Sequence, residues 1–133
     1  MELAQLILHG VIVAATPLAF AAVGEVVAER AGVLNLGVEG MMIMGALAGF
    51  AATYATDSHG LGALAAAAAG AAAALVFGAL TQFLLAKQVA TGLALTIFCL
   101  GLAALLGQDF SGDTTVALAV LPIPGLSKIP LIG

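Results

Sequence analysis

Four long apolar runs separated by three short polar stretches set the pattern of this chain. The runs cover about residues 3–23, 38–56, 61–86 and 89–107. A bilayer core of roughly 30 Å takes about 20 residues of helix, and each run reaches that length. A membrane strand would be about 10 residues long and alternate in polarity, and none of the runs alternates. The pattern predicts an all-α membrane protein of about four transmembrane helices in one embedded domain, 1–133. TDSHG (56–60) and AKQVATG (86–92) are short enough to make the helices they join antiparallel neighbours.

Composition agrees with the pattern. The chain is 63% hydrophobic and 8% charged, with a mean hydropathy of +1.24, whereas soluble domains carry about 25% charged residues. A soluble surface cannot be built from so little charge, so the surrounding medium is the lipid bilayer. The net charge of −4 and the lack of a basic patch exclude a nucleic-acid partner. Cys99 is the one cysteine and lies in an apolar run, which predicts an inert buried thiol and no disulfide. Ala19-Phe20-Ala21 has the small-x-small form of a leader cleavage site, but MELAQ lacks the basic segment that a leader requires.

Orientation follows from basic residues in short loops. Arg30 and Lys87 fall on one side; Asp57, Asp109 and Asp113 fall on the other, with Lys128 in the tail. This places residues 24–40 and 86–92 in the cytoplasm and the N-terminus outside.

Small residues recur along two runs. Gly45 and Gly49 are four apart in the second; Gly62, Ala66, Gly70, Ala74 and Gly78 repeat every fourth residue in the third. Such spacing allows close helix packing, although so Ala-rich a run yields small residues in almost any register. Pro17 is expected to kink the first helix.

Four of the chain's few charged residues, Glu25, Glu29, Arg30 and Glu39, cluster in GEVVAERAGVLNLGVEGMM (24–42). The first helix is expected to continue to about Arg30 and to stop at Gly32. The stretch GVLNLGVEG that follows combines three glycines and Asn35 with apolar residues. One reading is non-helical backbone at the membrane boundary, tolerated only where it packs in protein or lines a cavity; the other is an ordinary loop rich in Gly, Asn and charge. Asn35 can cap the next helix, and Glu39 in its first turn suits the positive end of the helix dipole.

TPLAFAAVGEVVAERAGVLNLGVEGMMIMGALAGF resembles the N-terminal signature of ABC-importer permease subunits, within the family that imports branched-chain amino acids, ribose-type sugars and nucleosides. ERAGVLNLGVEGMM is similar above all to the nucleoside and simple-sugar branch. KQVATGLALTIF (87–98) and LPIPGLSKIPLIG (121–133) resemble later segments of the same branch in the same order. The resemblance implies the N-terminal half of a type II importer permease. It implies a second permease subunit, cytoplasmic ATPase subunits that bind ATP and Mg, and an external solute-binding protein as partners. By position it puts Asn35, Gly37, Glu39 and Gly40 in the segment that leads into a helix beside the translocation path. Glu39 is read there as a capping and interhelical group ahead of a solute contact.

The resemblance also implies a chain about twice as long, whose ATPase-docking segment has no match here, so the sequence reads as a partial permease. Residues 108–133, with prolines 122, 124 and 130, read as an external loop. There is no GxxxxGK[ST] loop, and neither His9 nor His59 has a partner at metal-ligand spacing; the chain is read as a transporter subunit, not an enzyme, with no metal or cofactor of its own. A complete four-helix protein is the rival, either a proton-coupled exporter or a non-transporting scaffold or hole-former. An exporter would place an acidic residue in mid-span, and none is there.

Overall fold

A computed structural model describes residues 2–115 and 117. Within them the chain is helical, without strands: α1 Glu2–Arg30, α2 Val38–Thr56, α3 His59–Gly78 and α4 Gln88–Leu106. All four are long and apolar enough to cross a membrane. Most of the expected external loop at 108–133 lies outside the described residues; its beginning belongs to a 3-10 turn at Gly107–Phe110.

The helix ends follow from local chemistry. α1 stops where Gly32 takes a left-handed conformation with φ of +81°. The Gly32 N–H then donates to Glu29 C=O at 2.9 Å and the Val33 N–H to Ala28 C=O at 3.0 Å, which occupies carbonyls left open by the helix end. At 29 residues α1 is about 43 Å long, more than the hydrocarbon core is thick, so its charged end emerges. Pro17 lies inside this helix, which is continuous through it. Beside it, the Thr16 hydroxyl donates to Ile12 C=O at 2.7 Å. α2 and α3 are joined by two residues: Asp57 closes α2 in a left-handed conformation, and the Ser58 hydroxyl caps α3 by accepting from the Leu61 N–H.

The third apolar run departs from the uniform helix expected to residue 86. Beyond Gly78 the backbone widens into a π-helical turn at Ala79–Phe83, where the buried Thr81 hydroxyl donates back to Phe77 C=O at 2.9 Å. Leu85, with a φ of +53°, then turns the chain into α4.

α2 is the central helix. It packs most extensively on α3 and next on α4, while α1 touches it sparsely. The α2–α3 contact runs through small residues: a Cβ on Gly45 would lie 3.2 Å from Ala66 O, and one on Gly49 would lie 3.1 Å from Ala66 Cβ. Gly62 faces Thr53 and Gly49 so closely that no side chain fits. Gly70 is looser, its nearest neighbour being Met41 O at 3.9 Å, and Gly78 meets nothing within 4 Å. The repeat of four explains the fade, because each step overshoots a full turn by about 40° and carries Gly78 about 160° round the helix from Gly62. Thus Gly78, expected on the packing face, lies off it. The small buried core, Phe77, Leu95 and Cys99, sits between α3 and α4 with Met41 and Met44 of α2 against it.

Candidate functional site

The segment Gly32–Gly37 is non-helical and lies between the end of α1 and the start of α2. Exposed peptide groups are costly at membrane depth, and here side chains from two helices engage them. From α1, the half-buried Glu25 accepts the Asn35 N–H at 3.0 Å. From α4, the Gln88 carboxamide accepts the Leu34 N–H at 2.7 Å and donates to Gly32 C=O at 3.4 Å. About two turns further along α4, the buried Thr96 hydroxyl donates to Leu36 C=O at 3.2 Å. Within the segment, the Asn35 side-chain oxygen accepts the Gly37 N–H at 2.9 Å.

That last bond corrects the expectation that Asn35 caps α2. Gly37 occupies the cap position and offers no side chain; Asn35 forms an Asx turn two residues earlier. Its amide nitrogen also lies 3.5 Å from Met41 Sδ. Glu39 falls in the first turn of α2, as the dipole favours, and is exposed.

Close backbone contact holds the segment to α4. A Cβ on Gly92 would lie 2.8 Å from Gly37 N and 2.9 Å from Leu36 N. Gly37 and Gly40 are buried on the same side, Gly37 against Gly92 and Leu95, Gly40 against Thr96 and Cys99. Of the four residues assigned to the path by resemblance, the structure therefore sets two, Gly37 and Gly40, into the α2–α4 contact. Asn35 and Glu39 are the two with side chains free of that contact.

Asn35 and Glu25 close one end of a groove of about 1070 Å³ between α1 and the α2–α3 pair, with Thr53 and His59 at its other end. The walls between are mainly small or apolar, including Phe20 and Phe50. A second groove, about 810 Å³ between α3 and α4, is apolar except for Lys87 and Thr91. The first has polar groups at both ends and adjoins the interrupted backbone, so it carries the functional interest. No group of three metal-ligating side chains occurs among the described residues.

Gln88, Gly92 and Thr96 are absent from the residues selected by sequence reasoning, and Glu25 stands out there only as one of a charged cluster. Gln88, Gly92 and Thr96 lie in KQVATGLALTIF, where they and Thr91 interrupt an otherwise apolar helix. That interruption was the available signal, but it does not say which backbone those residues meet.

Comparison with known proteins gives a consistent picture. Residues 7–125 match the family described as branched-chain amino acid transport system / permease component. A putative glucose ABC transporter permease of Haloferax volcanii is 38% identical over the whole chain, which covers 42% of that protein. A guanosine ABC transporter permease of Bacillus subtilis is 32% identical over the whole chain and 45% of its own length. A nucleoside ABC transporter permease of Lactococcus lactis is 30% identical over 97% of the chain and 44% of its own length. The chain thus spans less than half the length of these relatives. No solved structure matches it.

Proposed function

The chain belongs to the branched-chain amino acid transport system permease family, and on that premise we propose that it forms part of the membrane path of an ATP-dependent importer for nucleosides or simple sugars. It acts beside a second permease subunit. ATP and Mg are bound by separate cytoplasmic ATPase chains, and an external solute-binding protein delivers the cargo. The protein is a multi-pass membrane protein, with the Gly32–Gly40 segment and the start of α4 on the cytoplasmic side and the N-terminus outside.

The interrupted backbone between α1 and α2, pinned by Glu25, Gln88 and Thr96, carries this reading. Non-helical backbone is retained in a membrane where it packs in protein or borders a watery route, and discontinuous helices of this kind mark substrate paths in transporters. Asn35, at the groove end, and Glu39, exposed in the first turn of α2, are the groups assigned to the path. Gly37 and Gly40 serve it indirectly, by allowing α2 to seat on α4.

The relatives are named for glucose and for nucleosides, so the solute is decided by uptake. The complete transporter in proteoliposomes is expected to accumulate labelled nucleoside or labelled glucose only when ATP is supplied. Accumulation of neither, with ATP hydrolysis intact, would defeat the assignment.

A further inference from the structure

We propose that Gln88 is a positioning residue that makes the Gly32–Gly37 segment and the first half of α4 one rigid body; this rests on the reading of that segment as the border of the path. A single carboxamide here reaches two peptide groups of the segment, accepting from Leu34 N–H and donating to Gly32 C=O. It does so across 54 and 56 residues of sequence, from the first residue of α4. Two further ties lie along the same helix: the Thr96 hydroxyl on Leu36 C=O, and Gly92, whose missing side chain lets the backbones touch.

The link to α1 is of another kind. There the peptide chain itself, the cap bonds from the Gly32 and Val33 N–H groups to Glu29 and Ala28 C=O, and the Glu25 bond to Asn35 N–H make the connection. α1 otherwise touches α2 sparsely and no other helix appreciably. The two cap bonds end at Val33. Beyond it three ties to α4, at Leu34, Leu36 and Gly37, stand against the one from Glu25. They decide which way that part of the segment goes when the helices shift: it stays with α4. Gln88 sets its register, because an acceptor and a donor on one planar group fix both the distance and the rotation of the strip they hold. Asn35, between the Gln88 and Thr96 anchor points, is thereby held at the groove.

The test uses the complete transporter with Gln88→Leu and Gln88→Glu. The first removes both bonds at similar size; the second keeps the acceptor for Leu34 N–H and loses the donor to Gly32 C=O. Amide hydrogen exchange at Leu34 is expected to rise about tenfold in Gln88→Leu and much less in Gln88→Glu, with Asn35 exchange, protected by Glu25, changing little. Maximal uptake per transporter in the membrane is expected to fall about tenfold in Gln88→Leu, with the half-saturating solute concentration changed less than twofold and with Gln88→Glu intermediate. Unchanged exchange at Leu34 overturns the clamp whatever uptake does. Faster exchange with full uptake per transporter overturns its role in positioning. Failure of the parent transporter to take up nucleoside or sugar strikes the proposed function instead, and the exchange measurement then decides the clamp by itself.

Discussion

A Cβ placed on Gly40 would lie 2.8 Å from the Cα of Thr96. α2 and α4 therefore meet backbone to backbone at this pair, and the contact leaves room for hydrogen only. Cys99 Cβ at 3.1 Å and Leu95 O at 3.3 Å close the remaining sides. None of the three is the far end of a flexible side chain, so an added methyl cannot be absorbed by a rotamer change.

Gly40→Ala is accordingly expected to destabilise the protein by about 1–3 kcal/mol, the usual cost of overpacking. Thermal unfolding in detergent, followed by the loss of monodisperse protein, reads this directly. Gly92→Ala presses on the same contact from the α4 side and is expected to cost a similar amount. Since both relieve themselves by parting α2 from α4, the double variant should lose less than the two single losses combined.

Gly78→Ala provides the opposite case. Nothing lies within 4 Å of its added Cβ, and the residue is in ordinary right-handed helical conformation. Replacing a helical glycine with alanine is expected to be neutral or to stabilise by up to about 1 kcal/mol. A fall in thermal stability comparable with that of Gly40→Ala would place Gly78 in a contact after all.

Glu25 should be replaceable by glutamine but not by leucine. Glutamine retains a side-chain carbonyl for the Asn35 N–H, whereas leucine leaves that donor without an acceptor. A bond to a charged acceptor contributes about 1.5–3 kcal/mol, so amide exchange at Asn35 should speed up by about tenfold or more in Glu25→Leu, and clearly less in Glu25→Gln. Equal exchange in the two variants would show that the carboxylate does not hold this turn.

Cys99 is 2% exposed in the core between α3 and α4. The native chain is expected to resist a hydrophilic maleimide until it is denatured. With Cys99 silent, a Glu39→Cys variant should take up the reagent in the assembled transporter, because Glu39 is exposed at the start of α2. Position 37, buried against Gly92 and Leu95, is a poor reporter by comparison, since a cysteine there would disturb the contact it is meant to probe.

Much of the fold was legible from the apolar runs, for a plain physical reason. The need to span a bilayer fixes helix length, and Gly32, Asp57 and Ser58 are of the types that end or begin helices. The π turn at Ala79–Phe83 was not legible, because the residues around it continue a run that reads as uniformly helical. The site was legible only as a location. Asn35 and its glycines stand out against the apolar flanks, but the groups that hold them, Gln88 and Thr96, are 54 and 60 residues from the backbone they bind. Helix composition cannot specify such pairings. Register also misled: small residues every fourth position suggest one stripe, and a helix of 3.6 residues per turn rotates that stripe away from its partner.

Gly32, Leu34, Asn35, Leu36 and Gly37 each have a peptide N–H or C=O taken up within the protein. On the proposed reading of this segment as the border of the path, cargo meets side chains there ahead of these paired main-chain groups. Under that proposal Glu39, exposed at the start of α2, is the position whose exchange would retune the choice of molecule while the surrounding scaffold stays as it is, whereas Asn35 also holds the Gly37 N–H and belongs to that scaffold.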